Sequence, residues 1–187
     1  MKAVIDTSSL ISFVRYYLPF DKDNKLKDFL EQQILEKKIV VLDKVAEECE
    51  YCSHSLVISA LPFINNNKYK TSTSSLFAPP KFHNLIDNNF INSSERNRLG
   101  EAEYQAERDR FLKSTDCNLI LYAFVNNPTE ETIIITEETG YNNDGKSFKK
   151  IPENCKSIGI TTLSLPKFLE ANGVIDFSIN VTATTLF

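Results

Sequence analysis

Four carboxylates stand where an α/β chain would place a reactive group. Asp6 closes the short apolar run KAVI, and Glu48 lies early in the helix that should follow KIVVL (38–42). Asp116 opens an apolar helix, and Glu138 follows TIIIT (132–136) with Glu137 beside it. Ionised carboxylates a few ångströms apart repel one another, and some are forced to take up protons. A divalent cation relieves that repulsion. Mg²⁺ and Mn²⁺ prefer oxygen ligands, and Mg²⁺ keeps several waters and meets substrate phosphates. If the four acids converge, they suit metal-assisted phosphodiester hydrolysis, in which the ion lowers the pKa of an attacking water and stabilises charge on the phosphate.

Each acid also has a plainer reading. Asp116 could be a helix N-cap worth ~1 kcal/mol, Glu48 a solvated helix residue, and Glu137 and Glu138 surface charges at a strand end. Asp6 is the hardest to dismiss, because Thr7 or Ser8 would cap the following helix as easily. Only as a set do the four acids point to chemistry. No rival set competes: the two histidines, His54 and His83, both fall in an irregular region, and neither GxxxxGK[ST] nor GxGxxG occurs.

The elements that must position these acids alternate. After the first strand, Leu10, Ile11, Val14 and Leu18 recur at helical spacing. Asp21, Asp23 and Asn24 open a second helix with Leu26, Phe29, Leu30, Ile34 and Leu35 on one face. Asp43 is suited to cap a helix carrying Val45, Cys49 and Cys52. The segment at about 54–100 is rich in Asn, Ser, Thr and Pro, with Phe63, Phe77, Phe82 and Phe90 dispersed through it. It reads as an insertion or lid. A charged helix is expected over 93–114, and a buried one from Ser114 with Leu119, Ile120, Leu121, Ala123 and Phe124. A fourth strand is expected at SIGI (157–160), then a closing helix LPKFLEANG, with FSINVTA as an edge strand. The pattern implies one α/β domain over 1–187, a central parallel sheet with helices on both faces, and a site at the carboxyl ends of the strands.

Composition sets the outer limits. A formal charge of −4 argues against a general nucleic-acid coat while leaving room for a local basic strip. Lys146, Lys149, Lys150 and Lys156 flank IPENC and supply such a strip for phosphates, and Tyr141 and Phe148 are candidates for base stacking beside ordinary packing. Arg108, Arg110 and Lys113 are interleaved with Glu107 and Asp109, which fits a solvated helix face. Cys49 and Cys52 form CxxC without a matching second pair, so they read as packing residues. No stretch approaches a membrane span of ~20 apolar residues, and Asp6 interrupts the one candidate signal-peptide core, so a cytoplasmic protein is expected.

The runs V-I-D-T-S-S-L-I, V-A-E-E-C, S-T-D-C-N-L-I-L-Y-A and I-I-I-T-E-E, in that order, resemble the PIN-domain ribonucleases, including the toxins of toxin–antitoxin pairs. I-P-x-x-C before the last strand resembles a short PIN-like branch. The likeness covers roughly 1–53 and 114–170. It implies Asp6, Glu48, Asp116 and Glu138 as catalytic metal ligands, with Thr7, Ser8 and Thr136 in support. At Glu138 the family pattern has Asp; the longer side chain keeps the charge and would reach a metal through water. The resemblance further implies an endoribonuclease using Mg²⁺ or Mn²⁺, with RNA as substrate, a small antitoxin as partner and homodimerisation; that no membrane is a partner is expected from the lack of an apolar span alone. Two other readings stay open: a catalytically inactive PIN-like module that binds protein, and a phosphatase with Asp6 as nucleophile. Against the latter, position 8 is serine where a second acid would be needed.

Overall fold

The computed structural model describes residues 1–140 and 145–174. Four-residue apolar runs become the sheet's main strands, β1 (Lys2–Ile5), β2 (Ile39–Leu42) and β4 (Thr132–Ile135), and two-residue β3 (Lys70–Thr71) and β5 (Thr162–Leu163) lie at the edges. All pairings are parallel, in the order β3-β2-β1-β4-β5. Every residue of β2 and β4 is buried, as expected of parallel strands covered on both faces. Central β1 is aligned to β4 by Ile5 opposite Ile135, so the residues after them, Asp6 and Thr136, emerge side by side.

The flanking helices are α1 (Thr7–Ser12), α2 (Lys25–Leu35), α3 (Asp43–Tyr51), α4 (Leu56–Ala60), α5 (Pro80–Leu85), α6 (Ser93–Arg98), α7 (Glu101–Lys113), α8 (Thr115–Asn126), α9 (Ile151–Ser157) and α10 (Leu165–Ala171). α8 is the most apolar of those beside the sheet: Leu119, Ile120 and Ala123 are fully buried and it packs on β1 and β4. Burying one such Leu or Ile is worth about 1.5–3 kcal/mol.

Several boundaries differ from the sequence reading. SIGI is not a strand. Pro152 stands in the first turn of α9, where its fixed φ is already helical, Gly159 turns the chain at φ +72°, and the fourth long-range pairing is made by Thr162 and Leu163 instead. The helix expected over 93–114 is two, because Leu99 and Gly100 are extended; Glu103 Oε2 accepts from Gly100 N at 3.0 Å and restarts the helix. Asp43 is the first residue of α3 and not its cap, and its Oδ2 accepts from Ser72 Oγ and Thr73 N at 3.1 and 3.0 Å. It thereby ties β2 to the segment after β3. FSINVTA and Tyr141 lie outside the described residues.

The 54–100 segment supplies short helices and the edge strand β3. Val57, Leu61, Ile64, Phe82, Ile86 and Phe90 are buried in the common core, while Phe77 is exposed. Arg108 on α7 grips Asp87 through two contacts of 2.6 and 3.3 Å, and Tyr104 also donates to Asp87. This region is clamped to the body by apolar burial and a forked ion pair. Among the described residues no helix is long and apolar enough to cross a membrane.

Candidate active site

The chain moves from β1 to β2 on one side of the sheet and reaches β4 on the other, so the order reverses at β1. In open parallel sheets the crevice beyond the strand ends at such a reversal is where ligands bind. Asp6 stands there. Its backbone N–H donates to Ile135 O at 2.9 Å, extending the ladder by one residue and aiming the side chain into the gap.

Asp6 occupies the cap position of α1, yet its carboxylate makes no capping hydrogen bond. Instead Oδ2 accepts from Ser8 Oγ at 2.6 Å and from Thr136 Oγ1 at 3.0 Å. Both bonds fall on one oxygen, leaving Oδ1 outside the pairing. Burial pushes the Asp6 carboxyl above its ordinary range; the hydroxyls oppose that, and the charges of Glu138 and Glu48 reinforce it.

Glu48 sits on the inward side of α3, where Thr7 Oγ1 donates to its Oε2 at 2.6 Å. Its neighbour Glu47 is exposed and pairs with Lys44. Asp116 lies in the first turn of α8, but the cap there is Ser114, whose hydroxyl accepts from Cys117 N at 3.1 Å. The plainer reading of Asp116 as the cap is thus removed. Burial, then the charges of Glu138 and Asp6, push the Asp116 carboxyl up to about 7, with Lys146 acting in the opposite direction. Glu138 is held by both ends: its N–H donates to Thr136 Oγ1 at 3.1 Å, and its Oε2 accepts from Ile151 N at 3.0 Å at the start of α9.

Glu138 and Glu48 thus lie close enough to Asp6 and Asp116 for their charges to push both of those carboxyls up. Glu137 does not join them. It turns to the start of α10, where Oε1 accepts from Leu165 N at 2.6 Å, and its own N–H donates to Ser8 Oγ at 3.2 Å. Ser8 therefore receives from the β4 exit and donates to Asp6, a link that neither residue's type nor its spacing announces.

Of the basic residues, Lys146, Lys149 and Lys150 line a cleft of about 540 Å³ that also contains Asp116. Lys156 is exposed on α9 and does not line it. Arg98, which the sequence reading passed over, and Arg110, which it placed on a solvated helix face, also line the cleft, because alternating charges on a helix look the same on any face. Phe148 is not an open stacking platform: its ring lies 4.3 Å from Phe111, nearly parallel at 9°, and is 7% exposed. Cys49 belongs to the core, with its thiol pushed up to about 12 mainly by burial, so it packs as a small apolar residue. Among the described residues no group of three or more His, Cys, Asp or Glu side chains already stands in a geometry to close on an ion.

Fold and site together define an α/β protein with a carboxylate-lined crevice at its sheet reversal. The chain belongs to DUF4411, a domain of unknown function, whose family model matches residues 4–175. No curated protein and no solved structure matches it.

Proposed function

We propose that this protein is a divalent-metal-dependent endoribonuclease acting through Asp6, Glu48, Asp116 and Glu138. The observation that carries the reading is that burial and the charges of Glu138 and Glu48 push up both the Asp6 carboxyl, at the sheet reversal, and the Asp116 carboxyl at the start of α8. Burying like charges is costly unless something compensates them. An oxygen-only donor set fits Mg²⁺ or Mn²⁺. Mg²⁺ takes one or two carboxylates directly and keeps waters for the rest.

Asp6 and Asp116 are the residues that would hold the cation, with Glu48 and Glu138 reaching it directly or through water. A cation bound there would supply an activated water and stabilise charge on the scissile phosphate. The chain's own groups prepare for that. Ser8 and Thr136 fix the Asp6 carboxylate, Thr7 fixes Glu48, and the start of α9 fixes Glu138. Burial and the neighbouring carboxylates push the Asp116 carboxyl up to about 7, so protons would compete with a cation at its oxygens. The lysines beside Asp116 offer charge to the substrate's phosphates.

The test is cleavage of a mixed small-RNA pool by the purified chain with Mg²⁺, with Mn²⁺ and with chelator, beside Asp116→Asn. Metal-dependent cleavage that vanishes in the variant is expected, whereas cleavage surviving the substitution sinks the reading. The sequence resemblance extends the proposal to the toxin of a toxin–antitoxin pair. In that case expression should arrest growth, and Asp116→Asn should relieve it.

A further inference from the structure

One cleft reverses the sign of the molecule. In a chain of net charge −4, the walls beside Asp116 carry Arg98, Arg110, Lys146, Lys149 and Lys150, against the carboxylates of Glu107 and Asp116 itself. The cations come from α6, α7 and the residues leading into α9. The α1 and α3 side of the crevice contributes Thr7 and Glu48 instead. The positive wall is therefore one-sided.

Its two arginines are held lightly. Arg98 pairs with Glu95, Arg110 pairs with Glu107, and both arginines are more than two-thirds exposed. Exposed pairs of this kind are worth about 0–1 kcal/mol. Exchanging a carboxylate for a phosphate, which the guanidinium fork also matches, costs little. Lys149 donates to Asn89 O at 2.8 Å and keeps its charge at the cleft. Between these cations the floor is Phe111 and Phe148, stacked on each other and at most 8% exposed, so neither offers an open ring face to a base.

We infer that this cleft is a tract for the sugar–phosphate backbone of single-stranded RNA on one side of the carboxylate crevice, reading charge and not base identity. The choice of RNA rests on the hydrolase reading above; the tract itself rests on the cleft. The cleft, about 540 Å³ in volume, is a local feature on one side of the crevice. Duplex recognition, by contrast, spreads over about 16 base pairs in double-strand-binding domains. An acidic peptide fits less well. It would need pockets for its side chains, and the closed Phe111–Phe148 pair supplies none.

The experiment is fluorescence anisotropy of labelled oligouridylate on the Asp116→Asn protein in chelator over a salt series, which reads binding without cleavage. The comparison is Arg98→Ala/Arg110→Ala/Lys149→Ala against a charge-matched control, Lys22→Ala/Lys25→Ala/Lys167→Ala. Each single-strand phosphate contact contributes about 0.7 to the slope of log affinity against log salt, so the cleft triple variant should be shallower by about 2. The control should keep the parent slope, and oligoadenylate should bind comparably to oligouridylate. Equal slopes for the two triple variants overturn the inference, as do absent binding at low salt, preference for duplex, and tighter binding of polyglutamate. Binding in the cleft without metal-dependent cleavage by the unmodified chain would uphold the tract and remove the hydrolase. Cleavage with a cleft variant that binds like its parent would do the reverse.

Discussion

Thr136 Oγ1 donates to Asp6 Oδ2 at 3.0 Å, joining residues 130 positions apart across the carboxyl ends of two paired strands. The same hydroxyl accepts from Glu138 N at 3.1 Å, so one side chain orients the acid leaving β1 and the turn leaving β4. Thr136→Val keeps the shape and removes both bonds. It should cost about 1–3 kcal/mol, the range for buried polar groups left unpaired, measured by urea unfolding. RNA cleavage should fall further than the loss of folded protein explains, and Thr136→Ser should restore both. Full activity in the valine variant would show that Asp6 needs no such anchor.

The pKa of Asp116 gives a pH signature. Its folded value of about 7 lies above its ordinary value of 3.8, so the folded state holds a proton that the unfolded chain has lost. Stability in chelator should therefore fall as pH rises from about 4 to about 7 and level off above that. Asp6 is shifted in the same direction and adds to the trend. Asp116→Asn should flatten the fall in thermal melts, and a variant that melts with the parent's pH dependence would count against the burial of this charge.

Divalent cations should act on the same groups. Mg²⁺ or Mn²⁺ should raise the melting temperature more at pH 8 than at pH 5, because protons compete for the same oxygens. Asp116→Asn should abolish most of that gain. Equal stabilisation at both pH values would place the ion elsewhere.

Capping and chemistry separate on α8. Ser114→Ala removes the bond to Cys117 N and should cost about 1 kcal/mol of stability. Asp116→Asn removes a repelled buried charge and should leave stability above pH 7 unchanged or improved while eliminating cleavage. Similar unfolding curves for the two variants would mean that Asp116 also supports the helix.

Glu138 has two duties that two substitutions divide. Glu138→Gln keeps an acceptor for Ile151 N, whereas Glu138→Ala strands it and should be the less stable by about 1 kcal/mol. Both should lower the pKa of Asp116, visible in an NMR titration of its carboxyl, because Glu138 is the leading charge raising it. If calorimetry finds metal affinity unchanged in the glutamine variant, Glu138 lies outside the cation's shell.

Much of the fold was readable because central parallel strands are buried on both faces and must be largely apolar, as AVI, IVVL and III are within β1, β2 and β4. The acids at their ends stood out for the same reason: a charge next to a buried run is conspicuous. The short edge strands were not readable, since two residues such as Thr162 and Leu163 carry no periodicity. Gly159 and Pro152 diverted SIGI from the expected strand, and Gly100 split a helix whose charge pattern ran straight across it.

The sequence by itself determined which side chains could do chemistry, the α/β class, and the ends of strands at which Asp6 and Glu138 would emerge. Those are local properties, set by apolar runs and by the residues that break them. Only the tertiary structure decided that Ser8 and Thr136 share one oxygen of Asp6, and that Ser114 relieves Asp116 of capping. It also set Arg98 and Arg110 beside Lys149, and closed Phe148 against Phe111. Hydrogen bonds and charge interactions fall off within a few ångströms, and that proximity between distant segments exists only once the core has packed.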